Sequence, residues 1–280
     1  MKMYQVDAFT QQLFKGNPAA VIVLDYWLED AAMQQIASEN NLSETAFVKI
    51  SDASNYEIRW FTPTTEVDFC GHATLASSFV IFKDFTDAQT IQFHVKKLGI
   101  FTVKQAADGK IQMNFPIRRA IAVADYPEIL KQALTKPFKQ VYLNAQAYIV
   151  EYETVQDVLD EQPNFELLKQ LGQIRTAITA SAQNPQNDAA CTDVAITALG
   201  QQYDCVSRYF APANGINEDP VTGSIHTGIV PLWADKLAKA ELTAYQASAR
   251  GGELYCKILD NERIEISGYA QLYMQAEIFI

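Results

Sequence analysis

Polar and apolar residues alternate along Tyr4-Gln5-Val6-Asp7-Ala8-Phe9, the two-residue period of a half-buried strand. Gly16-Asn17-Pro18 reads as a turn, and Ala19 to Leu24 is apolar throughout, as a buried strand is. From Trp27 to Asn40 the period lengthens: Leu28, Ala32, Met33 and Ile36 recur at helical spacing. Glu29 and Asp30 fall in the first turn of that helix, where its dipole favours acids, and Asn40-Asn41 ends it. Ser43 to Val48 and Tyr56 to Phe61 return to strand, the latter closed by Pro63. Gly71 to Phe82 is apolar on nearly every side, which predicts a helix buried all round. Ile91 to Phe115 is strand-rich, with Asp108-Gly109 turning between Ile100–Val103 and Ile111–Phe115.

A second series of elements starts near Tyr126-Pro127. The boundary is therefore expected just after Pro116, giving domains 1–117 and 118–280, with the last strand free to return to the first domain. Ile129, Leu130, Ala133 and Leu134 share a helix face, and Val141 to Tyr152 reads as one strand. Asn164 to Leu171 is a short helix closed by Gly172, and Ile174 to Ala180 another strand. Gln183 to Ala190 is polar and broken by proline, as a surface loop is. A second buried helix starts at Gly223, and Pro231 should end or kink it. Gln246 to Gly252 turns into a closing hairpin. Strand, helix, strands, buried helix, strands occurs twice, which predicts an α+β chain of two similar halves and not a parallel βαβ fold.

An internal repeat supports the two halves. Arg59-Trp60-Phe61-Thr62-Pro63 matches Arg208-Tyr209-Phe210-Ala211-Pro212 in its order of Arg, aromatic, Phe, small residue, Pro. Acidic residues follow each copy, then a glycine opens the buried helix: Cys70-Gly71-His72-Ala73-Thr74 in one, Thr222-Gly223-Ser224-Ile225-His226 in the other. The Arg-to-Gly distance is 12 residues in the first copy and 15 in the second.

Charge and composition narrow the function. The 280 residues suffice for two compact domains, and 49% hydrophobic content is that of a globular chain. A net charge of −11, with lysines and arginines scattered, argues against nucleic acid and against a membrane surface. The chain opens directly into a strand pattern, without the apolar core of a signal peptide, so a cytoplasmic location is expected. Cys70, Cys191, Cys205 and Cys256 form no CxxC, and with His72, His94 and His226 they give no metal-ligand spacing. Neither a P-loop nor a GxGxxG stretch occurs, so no cofactor is expected and the chemistry falls to side chains and backbone.

Two glycine-led helix starts would each leave backbone N–H groups open and carry partial positive charge. Such ends can clamp a carboxylate, and a clamped carboxylate acidifies the adjacent carbon. Proton carriers are then needed. Asp219 precedes the second helix start, Glu44 stands ahead of an apolar strand, and His72 and Ser224 each follow the glycine of their repeat. Each also has a plain structural reading: a solvated strand start for Glu44, a helix-start carboxylate for Asp219, a core histidine for His72 and a first-turn residue for Ser224. His226 is read as structural. Cys70, at a helix start, is a rival nucleophile. Glu66 and Asp68 nearby oppose its ionisation, and Thr222 stands at the matching place in the second repeat, so Cys70 is read as a packing residue.

Taken together, Asn41-Leu42-Ser43-Glu44-Thr45-Ala46-Phe47-Val48, Phe69-Cys70-Gly71-His72-Ala73-Thr74, Glu218-Asp219-Pro220-Val221-Thr222-Gly223-Ser224 and Gln246-Ala247-Ser248-Ala249-Arg250-Gly251-Gly252 resemble the phenazine-biosynthesis PhzF-like isomerase family. Gly16-Asn17-Pro18-Ala19-Ala20 and Phe210-Ala211-Pro212 fit it as well, and the resemblance is collinear almost end to end. It implies the diaminopimelate epimerase-like fold: two pseudo-symmetric domains, each a curved, mostly antiparallel or mixed sheet wrapped around a central helix, with the active site in the cleft between. It also implies cofactor-free isomerisation by proton transfer on a small carboxylated substrate, and a homodimer. Glu44 would be the main acid/base, with His72, Asp219 and Ser224 beside it. Gly71, Ala73, Gly223, Thr222 and Cys70 would line the substrate. Ile225 departs from the smaller residue usual before the histidine of the second motif. Two alternatives stand beside this reading: a catalytically silent binding protein on the same fold, and a Cys70-dependent thiol enzyme.

Overall fold

The alternation over Tyr4–Phe9 and the apolar run after Gly16 form an antiparallel pair, Lys2–Ala8 with Asn17–Leu24. The second strand starts at Asn17, so Pro18 lies inside it, near its first residue, where a missing N–H costs least. Gly16 is needed there: its φ is +66°, and a Cβ would sit 2.1 Å from the Ala8 carbonyl oxygen. The computed structural model describes residues 1–96, 98–171, 193–260 and 262–280. The expected Gly172 cap, the strand Ile174–Ala180, the loop Gln183–Ala190 and Cys191 lie outside the described residues.

Two compact units divide the chain: Met1–Phe115 with Gly252–Leu254 and Glu265–Ile280, and Pro116–Gly251 with Tyr255–Ile264. In the first, Lys2–Ala8 also pairs antiparallel with Ala270–Glu277. Asn17–Leu24 runs parallel to Glu44–Ile50, joined by helix α1, Asp30–Asn40. Glu44–Ile50 is antiparallel to Asn55–Phe61, which is parallel to Thr90–Val95 across helix α2, Gly71–Asp84. Gly99–Gln105 and Ile111–Pro116 then extend the sheet antiparallel.

Helix α1 begins at Asp30, later than its pattern suggests, with Glu29 at the N-cap and Asn41 closing it at φ 49°. Met33, Ile36 and Ala37 pack on Ile22, Phe47 and Phe61, with Trp27 and Leu28 against the same cluster. Each large side chain buried this way contributes about 1.5–3 kcal/mol. Helix α2 is buried on almost every side, as expected. Its hydroxyls tolerate this because each bonds a carbonyl one turn back: Thr74 to Cys70, Ser77 to Ala73 and Ser78 to Thr74, at 2.6, 2.7 and 2.8 Å.

In the second unit Ile121–Val123, Gln140–Leu143 and Ala147–Glu151 are antiparallel neighbours. The single strand expected over Val141–Tyr152 is thus a hairpin, turned where the Asn144 side chain accepts from the N–H groups of Gln146 and Ala147. Ala147–Glu151 runs parallel to Asp193–Leu199, which is antiparallel to Cys205–Phe210. Cys205–Phe210 is parallel to Glu241–Gln246 across the long helix Gly223–Leu237. The helix after Asn164 spans only Phe165–Leu168, with Asn164 capping it. The one near Pro127 spans Glu128–Ala133, with Leu130 and Ala133 buried.

Pro231 does not end the second buried helix, which continues to Leu237. Proline there deprives the Thr227 carbonyl of its usual N–H. That carbonyl accepts instead from the Arg118 N–H at 3.1 Å, so no buried acceptor is orphaned. Close approach is also why Gly228 stands in this helix: a Cβ would lie 2.4 Å from Asn144 Nδ2 and 3.0 Å from the Arg118 oxygen. Among the described residues, no helix is long and apolar enough to cross a membrane.

Candidate active site

In each unit the repeated arginine sits near the end of the strand that feeds the buried helix, and it explains the motif. Arg59 binds Glu66 with two parallel bonds of 2.7 and 2.8 Å and reaches Asp30 at 2.8 Å. Arg208 binds Glu218 in the same way at 2.7 and 3.0 Å, and also donates to the Val158 and Glu161 carbonyls. Each guanidinium lies over the phenylalanine two residues on, Phe61 at 5.2 Å and Phe210 at 5.1 Å. The acidic residue after each copy therefore ties the connecting loop back to its strand. That fixes where the helix starts.

In the first unit this brings Glu44, Cys70 and His72 together. Glu44 is the first residue of Glu44–Ile50, Cys70 is the N-cap of helix α2, and His72 is in its first turn. His72 Nε2 lies 3.2 Å from Glu44 Oε2, the side chains being 6% and 13% exposed. The distance suits an ion pair, and both atoms are buried with no other hydrogen-bond partner among the described residues. On the other side of the ring, Nδ1 lies 3.2 Å from Asn17 Nδ2 and 3.4 Å from Cys70 Sγ. The Asn17 amide can serve either charge state, since its N–H suits a bare Nδ1 and its oxygen a protonated one. Asn17 was missed in the sequence as a site residue; it was legible only as part of the Gly16-Asn17-Pro18 turn.

Burial by itself would lower the His72 pKa. The hydrogen-bonded Cys70 sulfur and the charged Glu44 carboxylate outweigh it, so the imidazole pKa lies well above the ordinary value. Burial pushes the Cys70 thiol up to about 11, with Glu44 adding to the effect. At neutral pH Cys70 is a thiol, as its reading as a packing residue implies, and a poor nucleophile. Gly71 and Ala73 are buried beside it, and no side chain caps the helix start.

The second unit gathers Asp219, Thr222 and Ser224. Thr222 Oγ1 donates to Asp219 Oδ2. Gln246, from the end of the neighbouring parallel strand, accepts from the Thr222 N–H at 2.8 Å and donates to the Asp219 carbonyl at 2.7 Å. Ser248 donates to the Pro220 carbonyl at 2.8 Å. The Gln246-to-Gly252 segment is thus the clasp of the loop before Gly223. Gln146 Nε2 donates to Ser224 Oγ at 2.8 Å and to Tyr209 Oη at 3.1 Å, and Tyr209 donates to Asp193 at 2.6 Å. Gln146, Tyr209 and Asp193 were not legible as site residues, because their role depends on partners more than fifteen residues away in sequence. His226 is structural: fully buried, it contacts the Thr222 carbonyl at 2.8 Å and Ser207 at 3.3 Å. Burial drives its pKa down to about 4.

The profile of the phenazine biosynthesis-like protein family matches residues 6–276. An uncharacterized isomerase of Pseudomonas aeruginosa is 41% identical over 280 residues, covering 100% of this chain and 99% of that protein. The crystal structure of a PhzF-family phenazine biosynthesis protein of Enterococcus faecalis superposes with a TM-score of 0.87 at 37% identity, covering 100% of this chain and 99% of that one. A probable proline racemase of Agrobacterium radiobacter K84 shares the fold, with a TM-score of 0.61 at 8% identity, over 100% of this chain and 93% of the other. Spanning nearly all of its length, these likenesses show that the chain belongs to the phenazine biosynthesis-like PhzC–PhzF family, among relatives named as isomerases.

Proposed function

We propose that the protein is an isomerase or epimerase that moves a proton between two carbons of a small carboxylate-bearing substrate, with its own side chains as the carriers. The observation that carries this reading is the Glu44–His72 pair, a part-buried carboxylate facing a buried imidazole, with neither facing atom hydrogen-bonded among the described residues. An ionised Glu44 would take a carbon-bound proton and return it to a neighbouring carbon. A protonated His72 would balance the charge and hold the carboxylate in one orientation. The open N–H groups at the helix start would favour a substrate anion. Within the second unit, Ser224 accepts from Gln146 and keeps its own proton to donate.

The experiment is NMR in D₂O over a panel of cyclic and amino-acid carboxylates, including dihydro-hydroxyanthranilate. Enzyme-dependent deuterium uptake at carbon supports the reading and names the substrate class. A thiol mechanism is disfavoured by the buried, protonated Cys70. Rapid loss of activity on alkylation of Cys70 would restore it.

A further inference from the structure

We propose that Glu44, Cys70 and His72 bind one thiophilic divalent cation of the Zn²⁺ class. An oxygen, a sulfur and a nitrogen ligand, one from each residue, lie within 4.8 Å of one another. No sequence spacing announces this set, because Glu44 reaches it from a different strand. Neighbouring ligand atoms in a tetrahedral zinc shell are about 3.5 Å apart, as follows from its bond lengths. One of two short separations can serve as an edge of such a shell: Cys70 Sγ to His72 Nδ1 at 3.4 Å, or Glu44 Oε2 to His72 Nε2 at 3.2 Å. Sulfur and carboxylate meet opposite nitrogens of the ring, so one nitrogen coordinates and either Glu44 or Cys70 turns about its side-chain bonds to complete the shell.

A second observation points to a ligand: among the described residues, Glu44 Oε2 and His72 Nε2 are buried and, beyond facing each other at 3.2 Å, have no hydrogen-bond partner. Buried polar atoms of that kind are rare, and a cation would satisfy both the carboxylate and the ring. Charge also closes. A carboxylate, a thiolate and a neutral imidazole cancel a dication, so the occupied site is neutral in its buried setting. On binding, the Cys70 sulfur forms a coordinate bond and its proton leaves to solvent, as does any proton on His72, without oxidation or reduction. Glu44 is the most exposed of the three side chains, which makes its side the entry path. Three protein ligands leave a fourth position open to water.

The consequence for activity rests on the role proposed for Glu44: once it ligates a cation, its lone pairs no longer accept a carbon-bound proton, and the cation inhibits. Binding itself does not depend on that reading. The full chain, freed of metal by a chelator, is titrated with Zn²⁺ and with Co²⁺. One equivalent should bind, and Co²⁺ should give a thiolate-to-metal charge-transfer absorption. Cys70→Ser should abolish that absorption and weaken Zn²⁺ binding at least about 100-fold. Glu44→Gln should weaken binding while keeping the absorption. Cys191→Ser, Cys205→Ser and Cys256→Ser should retain both. If Cys70→Ser does not fold, His72→Gln serves in its place, with the same loss of affinity expected. Absence of stoichiometric binding, or absorption that survives Cys70→Ser, overturns the proposal. Tight binding with no effect on deuterium uptake upholds the site and removes Glu44 from the reaction.

Discussion

His72 Nε2 stands 3.2 Å from Glu44 Oε2, and neither atom has another hydrogen-bond partner among the described residues. Nothing local to either residue sets this distance. It follows from the parallel step between Asn17–Leu24 and Glu44–Ile50 and from the point at which helix α2 begins. A pair held so by the scaffold, yet left unsatisfied, is poised for a third group.

The two copies of the arginine motif should differ in energy. Arg208 is 11% exposed and binds two carbonyls as well as Glu218. Its loss leaves a partly buried carboxylate and two carbonyls without partners. Arg208→Ala should cost about 3–4 kcal/mol in urea unfolding. Arg59 pairs with more exposed acids, Asp30 being 78% exposed, so Arg59→Ala should cost about 1 kcal/mol through the ion pairs. Equal losses would show that the shared motif carries the same load in both units.

Acid should destabilise the fold through His226. Its folded-state pKa is about 4 against an ordinary 6.5, so the unfolded chain binds the extra proton between those values. The stability from keeping this ring neutral is present above pH 6.5 and is lost as pH falls through about 4, a difference of about 3 kcal/mol. Urea midpoints measured across that window should fall with pH. In His226→Gln the slope should flatten.

Gln246 should matter to activity more than to folding. Gln246→Leu keeps the volume but removes the bridge between the Thr222 N–H and the Asp219 carbonyl. A stability loss of about 1–3 kcal/mol is expected from the unmet groups. Turnover should fall at least about tenfold, the equivalent of about 1.4 kcal/mol of lost positioning. Unchanged turnover in a destabilised variant would make the clasp purely structural.

Gly228 should resist substitution. Gly228→Ala forces a methyl to within 2.4 Å of Asn144 Nδ2 and 3.0 Å of the Arg118 oxygen. Asn144 can give way, but the backbone cannot, so about 1–3 kcal/mol should be lost by thermal unfolding.

What the sequence made legible is what short-range periodicity and turn chemistry encode. The α2 start at Gly71, the Asn41 stop and the strand after Ser43 all follow from neighbours within a few residues. The repeat placed the arginines, but not their purpose, because Glu66 and Glu218 declare themselves only once the loops close. That the helix runs on past Pro231 was not legible, because its compensation comes from Arg118, a residue far away in sequence. The Val141–Tyr152 hairpin was hidden because the Asn144 turn has no glycine or proline to mark it. Glu44 and His72 were legible as candidates from their places ahead of an apolar strand and after a helix-opening glycine, and the resemblance implied their roles. The contacts of Asn17, Gln146 and Gln246 were not, since side-chain partners across strands leave no trace in local pattern.

The central claim is tested most directly by deuterium uptake at substrate carbon, measured by NMR in D₂O for the wild-type protein and Glu44→Gln side by side. Glu44→Gln should fold, with an unchanged circular dichroism spectrum, and should lose at least about a hundredfold in exchange rate. Exchange that persists at the wild-type rate in a folded Glu44→Gln protein would contradict the account and move the base away from Glu44.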